Sequence, residues 1–296
     1  MANRVAYLLP LVLWAAVAAG EDGNNPPTTK RESNDEVGPE HGKLNTDDPS
    51  VIGPQHVQLE FLYAFSIANR AFDNSRGTRR RGTAATHLPA VLFTVGVVPD
   101  LDLRLHADYH DVHDNRFEFK PGVRGPESGN NIGDTALNAR YRFLNREALG
   151  LEVAYVAGAT APTGSRSRSR ELGSGQGFWS VEQELVATKD WGRWTTNAEM
   201  GYSQPINARR TDPRGALTAN LATGFQVLKW LQPEVELNYR NITVRRGSGA
   251  EVLAATAGLV MPLNQGLRIM AGVQQALTGR NQDQVTRGQL SIQLSW

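Results

Sequence analysis

The chain has 296 residues, a formal net charge of +1 and a mean hydropathy of -0.40. At 40% hydrophobic and 21% charged it is not a bundle of membrane helices, and its near-neutral charge names no partner by bulk electrostatics. It has no cysteine, so disulfides contribute nothing to its stability.

The first long apolar run, Val5 to Ala19, follows Arg4 and ends in Ala18, Ala19 and Gly20. A basic start, a short apolar centre and small residues at the end read as a secretory signal peptide over residues 1–20. A buried first helix is the alternative, but a strongly polar stretch follows at once. Residues 21–50 are rich in Asn, Pro, Thr, Glu and Asp and hold almost no large apolar side chain. Such a stretch cannot bury enough surface to offset its ordering entropy, and it reads as a flexible arm.

From Val57 onward the pattern has period two. In "LDLRLHADYHD", Leu101, Leu103, Leu105, Ala107 and Tyr109 alternate with Asp102, Arg104, His106, Asp108 and His110. A strand places these sets on opposite faces, whereas a helix would scatter the charges around its circumference. Twelve such segments are expected, near residues 55–66, 88–98, 101–111, 132–143, 149–160, 177–189, 193–204, 215–227, 231–243, 251–261, 267–277 and 285–296. Short turns are expected at Pro99–Asp100, Leu144–Ala148, Asp190–Gly192, Leu228–Trp230 and Pro262–Gly266. Longer links are expected at Ile67–His87, Val112–Asn131, Ala161–Gln176, Pro205–Arg214, Val244–Ala250 and Thr278–Gln284. An even strand count, with short turns at one end and long links at the other, predicts an all-β fold. Residues 51–296 would form one closed antiparallel transmembrane β-barrel of about 12 strands, with short periplasmic turns and longer extracellular loops. The aromatic residues fit that frame: Tyr141, Trp191, Trp194, Trp230 and Trp296 fall toward the short-turn end, and Trp179, Tyr109 and Tyr202 toward the other.

Several phrases carry a family resemblance: "NTDDP" before the first strand, "QHVQLEFLYAF" as that strand, "HLPAVLFTVGVVPDLDLRL", "NIGDTALNARYRFL", the mid-chain "GATAPTGS" and a closing strand that ends in an aromatic residue. From Asn45 to Trp296 the chain resembles the outer-membrane proteins grouped as MetA-pathway phenol-degradation transporters. The resemblance implies an outer-membrane barrel that passes small molecules, aromatic ones among them, and it brings no catalytic motif. The closing "LSIQLSW" also resembles the terminal signal read by the barrel-assembly machinery.

The polar faces give the candidate pore lining. Asp102, Asp108, Asp134, Glu152, Glu182, Glu184, Glu199, Glu234 and Glu236, with Glu60, supply acids; Arg104, Arg140, Arg142, Arg240 and Arg268 supply bases; His106 and His110 complete the set. Either these charges brace a wet interior or they tune the selectivity of a channel. Twelve strands lie between the eight that side chains fill and the sixteen that leave an open channel, which suits a narrow pore. His106, Asp108 and His110 share one strand face. Neighbours there are about 7 Å apart and the two histidines about 13 Å, so one ion could not bind all three without a bend. The expectation is lumen lining rather than a metal site, and no motif asks for a cofactor.

Arginine clusters mark the links: Arg76 with Arg79, Arg80 and Arg81; Arg166, Arg168 and Arg170; Arg209, Arg210 and Arg214; Arg245 and Arg246; and Arg280. Guanidinium forks suit phosphate, which would make outer-membrane lipids and lipopolysaccharide partners alongside small-molecule solutes. Solvated loop charge is the plainer reading, and a nucleic acid is not expected of an exported barrel. An enzyme is the rival class, since some twelve-stranded barrels are lipid hydrolases. Among the six histidines none forms an evident pair with a serine on one face, and no catalytic residue is expected. A structural, adhesive or gated barrel without an open pore is the third class.

Overall fold

The computed structural model describes residues 43–75, 77–114, 127–164, 175–208, 213–244, 247–264 and 266–296. The leader assigned to residues 1–20, and the arm up to residue 42, lie outside the described residues.

The described residues from Val57 are almost entirely strand: β1 (Val57–Phe72), β2 (Thr78–Val98), β3 (Leu101–Asp114), β4 (Glu127–Ile132), β5 (Thr135–Arg146), β6 (Leu151–Ala161), β7 (Trp179–Trp191), β8 (Trp194–Ile206), β9 (Pro213–Phe225), β10 (Gln232–Val244), β11 (Ala250–Asn264), β12 (Leu267–Arg280) and β13 (Gln282–Ser295). Each strand pairs antiparallel with its sequence neighbour, and β1 pairs with β13, so the sheet closes on itself. Val57 and Trp296 exchange both backbone hydrogen bonds at that seam, at 2.9 and 3.0 Å. Segments β4 and β5 pair with the far and near halves of β3 and together make one wall position. The result is a closed twelve-strand antiparallel barrel.

The side-chain alternation is inside out relative to a soluble protein. Leu103, Leu105, Leu137, Leu185, Leu221, Val235, Leu237 and Val273 are exposed on the outer face, while Asp102, Thr188, Asn197, Gln232, Glu234, Glu236, Thr256 and Ser291 are buried inside. An apolar exterior band with a polar interior is the arrangement a bilayer demands of a barrel. Trp191, Trp194, Trp230, Trp296 and Tyr141 are exposed toward the short-turn end, and Trp179, Tyr109 and Tyr202 toward the end of the long links. An arginine at Leu137, 55% exposed on the outer face, should cost about 2–4 kcal/mol at mid-bilayer. The same change at neighbouring Asn138, whose side chain faces inward over Gly158, should cost much less. Urea unfolding in bilayers checks the pair, and equal costs would reverse the assigned faces.

Two links and one strand differ from the sequence expectation. The link expected over Ile67–His87 narrows to residues 73–77, because β1 and β2 continue as a paired hairpin. The link expected over Thr278–Gln284 is the single residue Asn281, with φ 53°. Both extensions follow from cross-strand pairing, which satisfies the backbone in water as well as in lipid. The strand expected over 132–143 is interrupted at Gly133–Asp134: Tyr109 stands opposite Ile132 and His106 opposite Ala136, so β3 spends two residues against three in a bulge. Among the described residues no helix is long and apolar enough to cross a membrane.

Candidate functional site: the lumen and its inserted segment

Residues 43–52 lie inside the barrel. Residues 43–50, assigned from composition to the arm, cross the inner wall from β11–β12 toward β3, and residues 51–56 then lead into β1. Successive backbone N–H groups donate to wall carboxylates: Leu44 to Glu234 at 3.0 Å, Asn45 to Glu236 at 3.1 Å, Asp47 to Glu199 at 2.7 Å and Ile52 to Asp102 at 3.4 Å. Side chains add to this. Asn45 donates to Glu236 and Thr256, both at 3.0 Å, Ser50 donates to Glu152 at 3.3 Å, and Asn220 donates to the Asn45 carbonyl at 3.4 Å. Lys43 approaches Glu234 at 3.9 Å, with both side chains buried. Hydrogen bonds to ionised acceptors are among the stronger ones available.

The basic side of the site comes from β3 and β5. Their register sets Asp102 directly opposite Arg140, and the two form a buried ion pair. Arg140 also donates to the Asp48 carbonyl at 2.7 Å, and Arg104 pairs with Asp47 at 2.6 Å. Asp102 and Arg140 therefore join wall to wall and wall to inserted segment in one network. Arg142 bridges Asp100 at 2.7 Å and Glu152 at 3.3 Å near the short-turn end.

Apolar contact fixes the start of the segment. Gly258 and Gly272 stand opposite each other on β11 and β12, and a Cβ on either would overlap Leu44 Cδ1. Leu44 therefore sits in a niche that side chains would fill. At the other end, His56 N donates to Gly53 O at 3.2 Å, with Pro54 and Gln55 (φ 67°) between them. That is a type II turn with proline in its favoured place.

Beside the segment a cavity of about 370 Å3 remains. Thr46, Asp47, Asp48 and Ser50 line one side; Gln58, Glu60, Arg268, Met270, Gln293 and Ser295 line the other. Arg268 donates to Gln293 at 2.8 Å, and Glu60 accepts from Ser291 at 2.6 Å.

The other named residues are distributed as follows. His106, Asp108 and His110 lie on the same inward face of β3, with His110 Nε2 3.1 Å from Asp108. No group of three or more metal-ligating side chains gathers among the described residues. Glu182 accepts from Thr160 at 3.3 Å, Glu184 lies over Gly201, and Arg240 continues the inward series of β10 and is exposed. Asp134 stands beside the bulge at Gly133. Its carboxylate accepts from Gly164 N at 3.0 Å and Gln176 N at 2.7 Å, so it ties down both ends of the β6–β7 link. Asp134→Ala should accelerate tryptic cleavage in that link several-fold; unchanged cleavage would remove the anchoring role.

Of the arginine clusters, Arg76, Arg166, Arg168, Arg170, Arg209, Arg210, Arg245 and Arg246 lie outside the described residues. Arg280 approaches Glu251 at 3.8 Å. Sequence reasoning missed Asn45, Asp47, Asn220, Thr256 and Gln274 as lumen groups. It also missed Arg287, which reaches Ser66 at 3.2 Å. The signal within reach was "NTDDP", which supplies Asn45 and Asp47.

Residues 47–294 match the family described as "Putative MetA-pathway of phenol degradation". Among solved structures the chain is similar to the COG4313 outer membrane channel from Pseudomonas putida F1, at 14% identity and a TM-score of 0.73, over 86% of this chain and 100% of that one. It is also similar to the transport unit of the autotransporter AIDA-I from Escherichia coli, at 9% identity and a TM-score of 0.51, over 82% of this chain and 91% of that one. At these identities the likeness concerns the fold. No curated protein matches the chain.

Proposed function

This chain belongs to the family described as a MetA-pathway of phenol degradation, and on that premise we propose that it is an outer-membrane channel for small polar or amphipathic solutes, aromatic ones among them. The observation that carries the reading is the cavity of about 370 Å3 that stays open between the inserted segment and the wall of β12, β13 and β1. Its lining is polar and mixed in charge, with Met270 and Leu92 as apolar contacts. A path of that kind suits solutes that carry both a polar group and a small apolar body, and fixed charges at a narrow point set selectivity. Arg104, Arg140 and Arg268 line this cavity, with Asp102 backing Arg140, and His106, Asp108, His110, Asp134, Arg142, Glu152, Glu182, Glu184, Glu199, Glu234, Glu236 and Arg240 are the proposed lining of the lumen beyond it. The short turns face the periplasm and the long links face outward, in contact with lipopolysaccharide.

The outward apolar faces, the aromatic residues near both ends and the closed sheet support an outer-membrane location. The gated alternative has its own support in the inserted segment, which occupies lumen that an open pore would leave to water. A transport role accounts for the polar interior without chemistry, and no lipid-modifying activity is proposed.

The test is conductance of the purified, refolded barrel in planar bilayers, with a reversal potential under a salt gradient. Small stable currents are expected. Arg268→Glu should move ion preference toward cations, since it changes the cavity wall by two charges. Absence of any conductance would overturn the channel reading, and an unmoved reversal potential would take Arg268 out of the path.

A further inference from the structure

We infer that residues 43–52 are a removable inner strap whose withdrawal from the wall widens the conduit while the barrel itself stays closed. The inference rests on the channel reading and adds the element that regulates it.

The contacts that seat the strap differ in kind from those that build the wall. Each strand is held by a continuous backbone register to both neighbours. The strap instead gives its N–H groups one at a time to side chains: Glu234, Glu236, Glu199 and Asp102. Water in a polar lumen can take over each of these bonds without disturbing a strand. The seat is also imperfect. Thr46 Oγ1 is buried with no hydrogen-bond partner in the protein, a state that favours leaving.

Two features act as latch and hinge. Leu44 in the Gly258 and Gly272 niche is the apolar anchor at the start of the strap. The Gly53–His56 turn is the fixed end, bonded to β2 through Gln55 N to Gly96 O at 3.4 Å and Gly96 N to His56 O at 3.0 Å. Between them the strap crosses β10, β9, β8, β6 and β5, so release at Leu44 frees the lumen across that whole arc. The cavity beside the seated strap marks the narrow state.

The chain contains no cysteine, so engineered thiols report cleanly. Thr46→Cys puts a thiol in place of a hydroxyl that has no hydrogen-bond partner to lose, at the cost of one methyl group. A charged methanethiosulfonate reagent should modify it slowly in the folded protein and at least tenfold faster when Leu44→Ala is added. In a separate protein, Asn45→Cys with Thr256→Cys replaces two side chains in direct contact, Asn45 Nδ2 lying 3.0 Å from Thr256 Oγ1, with a pair of thiols for oxidation. Its oxidised form should hold the smallest conductance level, and reduction should restore larger openings. Heat-dependent gel mobility confirms that each variant is a folded barrel. Equal modification rates with and without Leu44→Ala, or identical currents from the oxidised and reduced tether, would overturn the strap. Faster modification in proteins that never conduct would uphold the strap and overturn the channel.

Discussion

Replacing Arg140 with alanine should cost about 3 kcal/mol of barrel stability, the largest loss expected from a single charge in the lumen. Asp102 and Arg140 side chains are 0% and 4% exposed, so the pair is cut off from water. Removing one partner leaves the other buried without its counter-charge, and such losses run to about 3–5 kcal/mol. The lower end applies here because Arg104 Nε stands 3.6 Å from Asp102 and offers partial compensation. The variant also loses the bond to the Asp48 carbonyl. Urea unfolding followed by tryptophan fluorescence checks the value. The double variant Asp102→Asn with Arg140→Gln should be less destabilised than Arg140→Ala, since no bare charge remains. A cost below about 1 kcal/mol for Arg140→Ala would mean that lumen water already screens the pair.

Asp102 and Arg140 also mark how far the sequence could be read. Their inward direction follows from period two, and β3 begins at Leu101 as its alternation requires. That the two stand opposite each other depends on a register between strands whose intervening chain includes β4 and a long link, and no local pattern encodes that. The bulge at Gly133 has the same origin. One strand was expected there, and the extra residue exists only relative to β3, so the anchoring of the β6–β7 link by Asp134 could not be read from the local pattern. The Thr78–Thr86 stretch was hidden differently. Three arginines and a glycine look like a loop, yet the backbone of Arg79 and Arg80 pairs with Ala71 and Arg70.

The inserted segment is the instructive case. Burial is ordinarily inferred from apolar composition, and residues 43–50 are polar. Inside this barrel the wall is polar as well, so a polar segment finds acceptors there in place of water. Hydropathy does not distinguish a chain solvated by water from one solvated by carboxylates. What could have flagged it are the inward positions without side chains, Gly258 and Gly272, on strands otherwise lined by Thr256, Val260, Met270 and Gln274.

Gly96→Ala should cost about 2–3 kcal/mol, whereas Gly272→Ala should cost less than about 1 kcal/mol, although each new Cβ meets the inserted chain. The difference lies in what is struck. At Gly96 a Cβ would overlap the Gly53 carbonyl oxygen and come within 2.7 Å of Ile52 O, both backbone atoms. Those atoms are held by the Gly53–His56 turn, whose Gln55 already adopts a left-handed φ of 67°. The turn cannot shift without breaking the paired bonds between Gly96 and residues 55 and 56. At Gly272 the Cβ would strike Leu44 Cδ1, the tip of a side chain that can change rotamer, and its nearest backbone contact is Ala257 O at 3.1 Å. A flexible side-chain tip can swing aside by the ångström or so that this needs, whereas a bonded turn must be rebuilt. Urea midpoints of the two variants, measured in the same bilayer, test the ordering. The reverse ordering would place the rigid attachment of the segment at Leu44 rather than at the turn, and would exchange the roles of latch and hinge.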